Sequence, residues 1–469
     1  MAELADASDL GSDASGVQVR PLLSAPIKGQ VKKDIVPYFN KQQHYVSDNI
    51  IPKTQCFFKG DVSMIKTDNI STRKLLLPIG TVSMLFAGII YAWSILKAPL
   101  ANEFGWDAKS LALNFTFTMS FFCIGGFLGS ILTKKIGTQL TVILSGGLTG
   151  IGFILTSFSS GNIILLYITY ALMAGLGIGI SYNAIISTVS AWFPDKKGLC
   201  SGCLLMGFGA SSLLLGKIIE KMFNTESIGW RTTFMVTGIV AGVILIITGF
   251  FMKRPDTSIQ FPIPEIKRKK IKENFDIKDL SPTEMLKKFS FWRAFICLIC
   301  LTAVGNSVIS FARDLAISVG SEAELATTLV GILAICNGLG RILTGFLFDN
   351  VGRKNTMVIA NIITIAAAGV ILISIVTNSV ILCIAGLCIT GISYGACPTV
   401  SAAFTAAFYG TKYYQTNFSI MNFNLLFASF IATVCSNLML SSGGYTTPFI
   451  LLLALSTVAL VLNLSIKKP

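Results

Sequence analysis

Charge is scarce in this chain. Asp, Glu, Lys and Arg together make up 13% of 469 residues, where soluble proteins sit near about 25%. A soluble globular protein is therefore excluded, and so is a disordered one, which needs more charge and less apolar sequence. Histidine occurs once, at His44, in the polar first stretch. Most of the eleven cysteines fall inside apolar runs: Cys123, Cys297, Cys300, Cys336, Cys383, Cys388, Cys397 and Cys435. Cys200/Cys203 and Cys297/Cys300 have CxxC spacing, but neither has a second pair or histidine at zinc spacing. No metal is expected, and these cysteines read as small buried hydrophobes. No His/Cys/Asp constellation suggests catalysis either, so the chain is not expected to be an enzyme or to need a cofactor.

What the chain has is apolar sequence: 53% hydrophobic side chains and a mean hydropathy of +0.71. About 20 such residues, rising about 1.5 Å each, cross a bilayer core of about 30 Å. Runs of that length lie at about 75–97, 110–132, 138–158, 162–190, 200–223 and 231–252, and again at about 289–318, 325–348, 354–376, 379–407, 415–441 and 446–465. A polar stretch from Lys253 to Lys288 separates the sets and holds Lys267-Arg268-Lys269-Lys270. The expected architecture is all-α and membrane-embedded, with twelve transmembrane helices in two pseudo-symmetric bundles of six. The expected parts are a disordered cytosolic tail (1–74), a first bundle (75–252), a basic cytosolic linker (253–288) and a second bundle with a short tail (289–469).

The net charge of +14 would suit nucleic acid, but its placement does not. Lys134, Lys135, Lys196, Lys197, the linker, Arg353, Lys354 and Lys412 occupy alternate loops. The loops after spans three, nine and eleven have no Lys or Arg. That asymmetry places both ends in the cytosol, by the excess of positive charge on the inner face. The first stretch has no apolar core behind a basic start, so a cleaved secretory leader is not expected. Its basic, acid-poor part from Gly16 to Lys33 leaves an organellar membrane as the alternative to the plasma membrane.

Two short repeats link the halves. Gly179-Ile180-Ser181-Tyr182 in span four returns as Gly391-Ile392-Ser393-Tyr394 in span ten. Thr188-Val189-Ser190-Ala191 returns as Thr399-Val400-Ser401-Ala402. Such duplication is common in transporters.

The stretch Gly345-Phe346-Leu347-Phe348-Asp349-Asn350-Val351-Gly352-Arg353-Lys354 resembles the GxxxDxxGRK loop of the major facilitator superfamily. The first-half counterpart is degraded, with Gly129, then Thr133 in the Asp position, then Lys134 and Gly137. The resemblance implies gating and packing roles for Asp349 and Arg353. A narrower likeness rests on Tyr91-Ala92-Trp93-Ser94, Trp192-Phe193-Pro194-Asp195-Lys196-Lys197-Gly198, Glu284-Met285-Leu286-Lys287 and Asn337-Gly338-Leu339-Gly340-Arg341. From about Pro78 to the end of span twelve the chain resembles the oxalate/formate antiporter family. That implies a carrier of small carboxylates working by alternating access, as an exchanger or coupled to an ion such as the proton. Its expected partners are the bilayer and the carboxylate, with no nucleic acid, and it is expected to act as a monomer.

An ionised side chain inside a membrane helix faces a cavity or a partner. Arg341 is such a residue, and its fork fits a carboxylate with two parallel hydrogen bonds. It matches the family's substrate-binding arginine; the bland alternative ties it to backbone carbonyls or to Asp314. Asn337, four residues earlier, shares its helix face. The resemblance adds Tyr91, Tyr182 and Tyr394 as aromatic walls with one hydroxyl each, and Asn422 at an adjacent aromatic position in span eleven. It also implies a second cation in span eleven, where this chain has Leu425. Proton symporters of the superfamily carry an Asp where Asn337 stands, so proton coupling through that pair lacks support. Arg313-Asp314 in span seven reads as a self-paired couple, with Asp314 as an alternative proton site.

One fixed cation matches a monocarboxylate of the formate, lactate or pyruvate type, whereas oxalate would leave one charge unpaired at a cost. The alternatives are an oxalate antiporter, a carrier of neutral sugars, or a non-transporting sensor on a carrier fold. This reading predicts that Leu425→Lys confers uptake of labelled oxalate that the unaltered chain lacks. Oxalate uptake by the unaltered chain contradicts it.

Overall fold

A backbone inside a bilayer has no water to bond with, so its amides must pair within the chain. The computed structural model describes residues 72–255 and 279–467, and among these there are helices and no strands. The first 71 residues, including the Gly16–Lys33 stretch, and the Lys267–Lys270 run lie outside the described residues.

In chain order the spans are α1 (Thr72–Ala92), α2 (Ala108–Ile136), α3 (Thr138–Ser157), α4 (Ile163–Ala191), α5 (Lys197–Phe223) and α6 (Gly229–Phe251). The second set opens with α7 (Phe289–Ser318). The helix Ala323–Thr377 then runs for 55 residues, about 80 Å at about 1.5 Å each, far more than one crossing needs. Gly352 breaks it with φ 78° and ψ 174°, and the two sides are α8 and α9. The set ends with α10 (Val380–Tyr409), α11 (Tyr414–Ser442) and α12 (Thr446–Leu464). Eleven apolar helices thus make twelve crossings. The loop expected between spans eight and nine is helical through Val351, because only Gly352 takes the backbone out of the helical region.

The two sets are built alike. Gly137, between α2 and α3, has φ 83° and ψ 164°, nearly the conformation of Gly352 between α8 and α9. Both φ values lie where a Cβ is disfavoured. The repeated glycines also pack alike: a Cβ on Gly179 would strike the α2 backbone at Phe122, and one on Gly391 would strike the α8 backbone at Leu333. The fold is two pseudo-symmetric six-helix bundles.

Burial follows the bilayer. Large apolar side chains such as Ile381 (79% exposed) and Val376 (69%) point outward, where lipid covers them. Asn114, Thr118, Asn183 and Thr188 are buried inside. Small residues let the helices approach, as in membrane bundles generally. On α3, a Cβ at Gly152 would stand 2.7 Å from the Ala174 nitrogen, whereas nothing lies within 4 Å of one at Gly147.

Gly152→Val should therefore destabilise the chain by about 1–3 kcal/mol, the usual cost of overpacking. Gly147→Val on the same helix should leave it within experimental error. Thermal unfolding of the detergent-solubilised protein checks both.

Candidate functional site

The first bundle meets the second where α5 crosses α8. Gly198 and Gly345 lie backbone to backbone at one end of this crossing, and a Cβ on Gly202 would stand 2.6 Å from the Arg341 carbonyl. Without side chains in the way, α8 comes close enough for the Arg341 guanidinium to reach across. One terminal nitrogen donates to the Leu205 carbonyl of α5. Nε donates to Asn337 Oδ1 at 3.1 Å. A Cβ on Gly209 would stand 2.8 Å from Arg341 Cζ, so this glycine makes the room the guanidinium occupies. Arg341 is 2% exposed.

Both acceptors are neutral. The ion pairs among the described residues are Arg73–Asp195 at 3.2 Å and Arg313–Asp314 at 3.9 Å; neither includes Arg341. Asp314 stands 3.9 Å from Arg313, and both side chains are exposed.

Aromatic rings from both bundles surround the guanidinium. Its charge acts on the hydroxyls of Tyr91, Tyr182 and Tyr394, so α1, α4 and α10 bring the three sequence-derived tyrosines around one centre. Tyr91 meets the Phe208 ring edge-on at 5.3 Å between centroids, and Tyr182 meets Phe122 and Phe208 at 5.0 Å each. From the second bundle Phe418 stacks on Tyr182 at 6.2 Å and on Tyr414 at 5.5 Å. Tyr394 leans on Gly305 and donates to Asn306 Oδ1 at 2.7 Å. The Asn306 amide in turn donates to Ser429 Oγ at 3.3 Å, which ties α7, α10 and α11 together.

Asn422 marks a break in α11, between helices Tyr414–Met421 and Phe423–Ser442. Its carbonyl accepts from Cys123 Sγ at 3.6 Å, and no hydrogen bond joins its side chain to Arg341 among the described residues. Leu425 is 7% exposed and packs into the apolar core of the first bundle. The neighbouring Asn424 turns to Thr302 of α7 (3.4 Å) and to the Met421 carbonyl (2.5 Å).

Asp349 and Arg353 lie away from this centre, at the end of the bundles where the basic loops collect. Asp349 accepts from the backbone nitrogens of Gly198 (3.0 Å) and Leu199 (2.9 Å). These are first-turn amides of α5, which lack partners in their own helix and carry the positive end of its dipole. Arg353 lies over the Phe408 ring at 4.5 Å. Across the pseudo-symmetry the carboxylate is replaced by the side-chain amide of Gln415. Gln415 donates to Thr133 Oγ1 at 2.9 Å and accepts from Arg254 at 2.8 Å. Asn183 bridges the carbonyls of Gly126 and Gln415 at 3.1 Å each.

Sequence reasoning missed Phe122, Phe208, Phe418, Asn306 and Gln415. Apolar rings are common in membrane spans and carry no local sign of a site. Asn306 and Gln415 are polar residues within or beside apolar runs, and that signal was there to be read.

The model of the Major Facilitator Superfamily matches residues 77–313 and 294–469. The oxalate:formate antiporter of Oxalobacter formigenes is 28% identical over 294 residues, covering 61% of this chain and 67% of that protein. Monocarboxylate transporter 12 of Mus musculus is 25% identical over 264 residues, 52% of this chain and about half (53%) of the relative. Among solved structures, the proton:xylose symporter XylE has a TM-score of 0.67 at 13% identity, with 85% of this chain and 96% of that one covered. At that identity the likeness bears on the fold alone. With the superfamily model spanning both bundles and the same fold in a solved carrier, the chain belongs to the Major Facilitator Superfamily: it is a multi-pass membrane transporter and not an enzyme.

Proposed function

We propose that the chain carries small monocarboxylates of the formate, lactate or pyruvate type, with Arg341 as the counter-ion. The observation that carries this reading is the buried guanidinium at the bundle interface, held by a carbonyl and an amide and, among the described residues, by no carboxylate. Neutral acceptors satisfy hydrogen bonds but leave a full charge in a medium of low dielectric, which is expensive. A carboxylate entering between the tyrosines would neutralise it through two charge-assisted bonds. The name of the Oxalobacter relative, an oxalate:formate antiporter, and that of the mouse monocarboxylate transporter support the substrate class.

The monoanion is favoured over oxalate because the α11 position that would supply a second cation holds Leu425, packed in apolar surroundings. Transport then proceeds by rocking of the bundles about a midplane site, as in related folds. Arg341 rests on Leu205, a residue of the opposite bundle. Leaving that acceptor without a substitute opposes reorientation, which favours exchange over net flux unless an ion helps. The carrier acts as a monomer in the plasma membrane, with its basic loops in the cytosol. Asp349 serves as a latch on that face: its bonds to α5 hold the bundles together while the site is closed to the cytosol.

Arg341→Gln should cut uptake of labelled monocarboxylates by about 100-fold or more, the order expected when a buried charge pair loses one partner. Arg341→Lys, which keeps the charge but not the fork, should fall between. Uptake that survives Arg341→Gln contradicts the assignment and fits a neutral substrate. Counterflow in proteoliposomes separates a carrier from a sensor, which would bind without flux. For the latch, Asp349→Ala should raise the labelling rate of a cysteine placed at Ser187 by about threefold or more, since breaking two charge-assisted bonds favours the open state. An unchanged rate contradicts the latch.

A further inference from the structure

Toward the basic end from Arg341 a cavity of about 260 Å³ lies between the bundles. It lies on the same helix faces as the central site. Ser201 of its wall is one turn before Leu205 on α5, and Tyr414 is one turn before Phe418 on α11. Its size suits a ligand smaller than those filling ordinary binding pockets.

The chemistry of this cavity differs from that around Arg341. Two cations line it, Lys197 at the start of α5 and Arg254 just beyond α6. The hydroxyls of Ser187, Ser190, Ser201, Thr411 and Tyr414 complete the polar wall, and alanines fill much of the remainder. Among the described residues no carboxylate stands within 4.0 Å of either cation. Asp279 and Asp349 act on Lys197 from further off, and both carboxylates bind backbone amides. Arg254 gives one terminal nitrogen to Gln415. Both cations belong to the first bundle, while Thr411 and Tyr414 belong to the second. A ligand held by all four would therefore span the two bundles.

We propose that this cavity binds a small dicarboxylate from the cytosolic side and that the bound dianion arrests transport without itself being carried. Two cations match two carboxylates here, whereas the single guanidinium at the centre does not. The dianion joins Lys197 and Arg254 to the hydroxyls of α11 and its preceding loop, and so holds the bundles in one arrangement. Rocking requires that bridge to break. The inference needs Arg341 to be the transport site but does not depend on which monocarboxylate it takes.

Malonate is the probe, tested on the full chain in two ways. In the first, malonate raises the melting midpoint of the solubilised protein at constant ionic strength, and acetate does not. Lys197→Gln and Arg254→Gln each weaken the apparent malonate affinity by about tenfold, as expected for losing one counter-ion. Lys197→Arg and Arg254→Lys keep most of it, and Arg341→Gln keeps it fully. In the second, malonate inhibits uptake of labelled pyruvate when present on the cytosolic face of vesicles and not on the other, and labelled malonate does not accumulate. The proposal is overturned if the Gln variants bind malonate as the unaltered chain does, if Arg341→Gln abolishes binding, or if malonate is transported. Because the binding test needs no flux, failure of the monocarboxylate reading shows separately, as pyruvate uptake that survives Arg341→Gln.

Discussion

A guanidinium buried between membrane-spanning bundles must have acceptors, and in this protein the acceptor on the far side is a backbone carbonyl of the other bundle. The Arg341–Leu205 contact sets the terms for its surroundings. It requires α5 and α8 to cross closely, so Gly198, Gly202 and Gly209 face α8 and Gly345 faces α5. It requires water to be kept out, so rings from α1, α2, α4, α5 and α11 close around it. It leaves the guanidinium without a carboxylate partner among the described residues. A charge at this position is costly unless a partner balances it, and that cost is the ground of the proposed carboxylate site.

The pseudo-symmetry of the fold is broken at the two places where function is expected. Between Lys109 and Lys134 α2 has no charged residue, whereas α8 has Arg341 inside its span. The charge is thus present in one bundle only. At the basic end, one side uses a carboxylate on helix amides, and the other uses the uncharged Thr133–Gln415 pair with Arg254. A carboxylate at a helix end is stronger than a hydroxyl–amide bond, so the two contacts differ in how firmly they hold.

The sequence made the crossings, the two sets of six and the central arginine legible, because each leaves a local trace. Apolar runs have a fixed length, the Gly-Ile-Ser-Tyr repeat marks duplication, and a charge inside an apolar run stands out. The family resemblance also pointed to Tyr91, Tyr182 and Tyr394, which the structure brings near Arg341. It could not reveal the acceptor of Arg341, because a carbonyl is present at every residue and only packing selects Leu205. The rings of Phe122, Phe208 and Phe418 were hidden for a related reason: their neighbours come from helices far away in the chain. The long α8–α9 helix escaped because residues up to Val351 read as a polar loop, yet they remain helical until Gly352 changes φ. Asn422, expected beside the ligand, stands at a break in α11 and offers its backbone to Cys123.

The central claim is that a carboxylate takes over the guanidinium from Leu205. Isotope-edited infrared spectroscopy of the chain with a labelled carbonyl at Leu205 tests it most directly. Adding a transported monocarboxylate should shift that carbonyl band to higher frequency as the charge-assisted bond is lost, and Arg341→Gln should start at the shifted position and stay there. A band that does not move when the substrate binds would contradict the account.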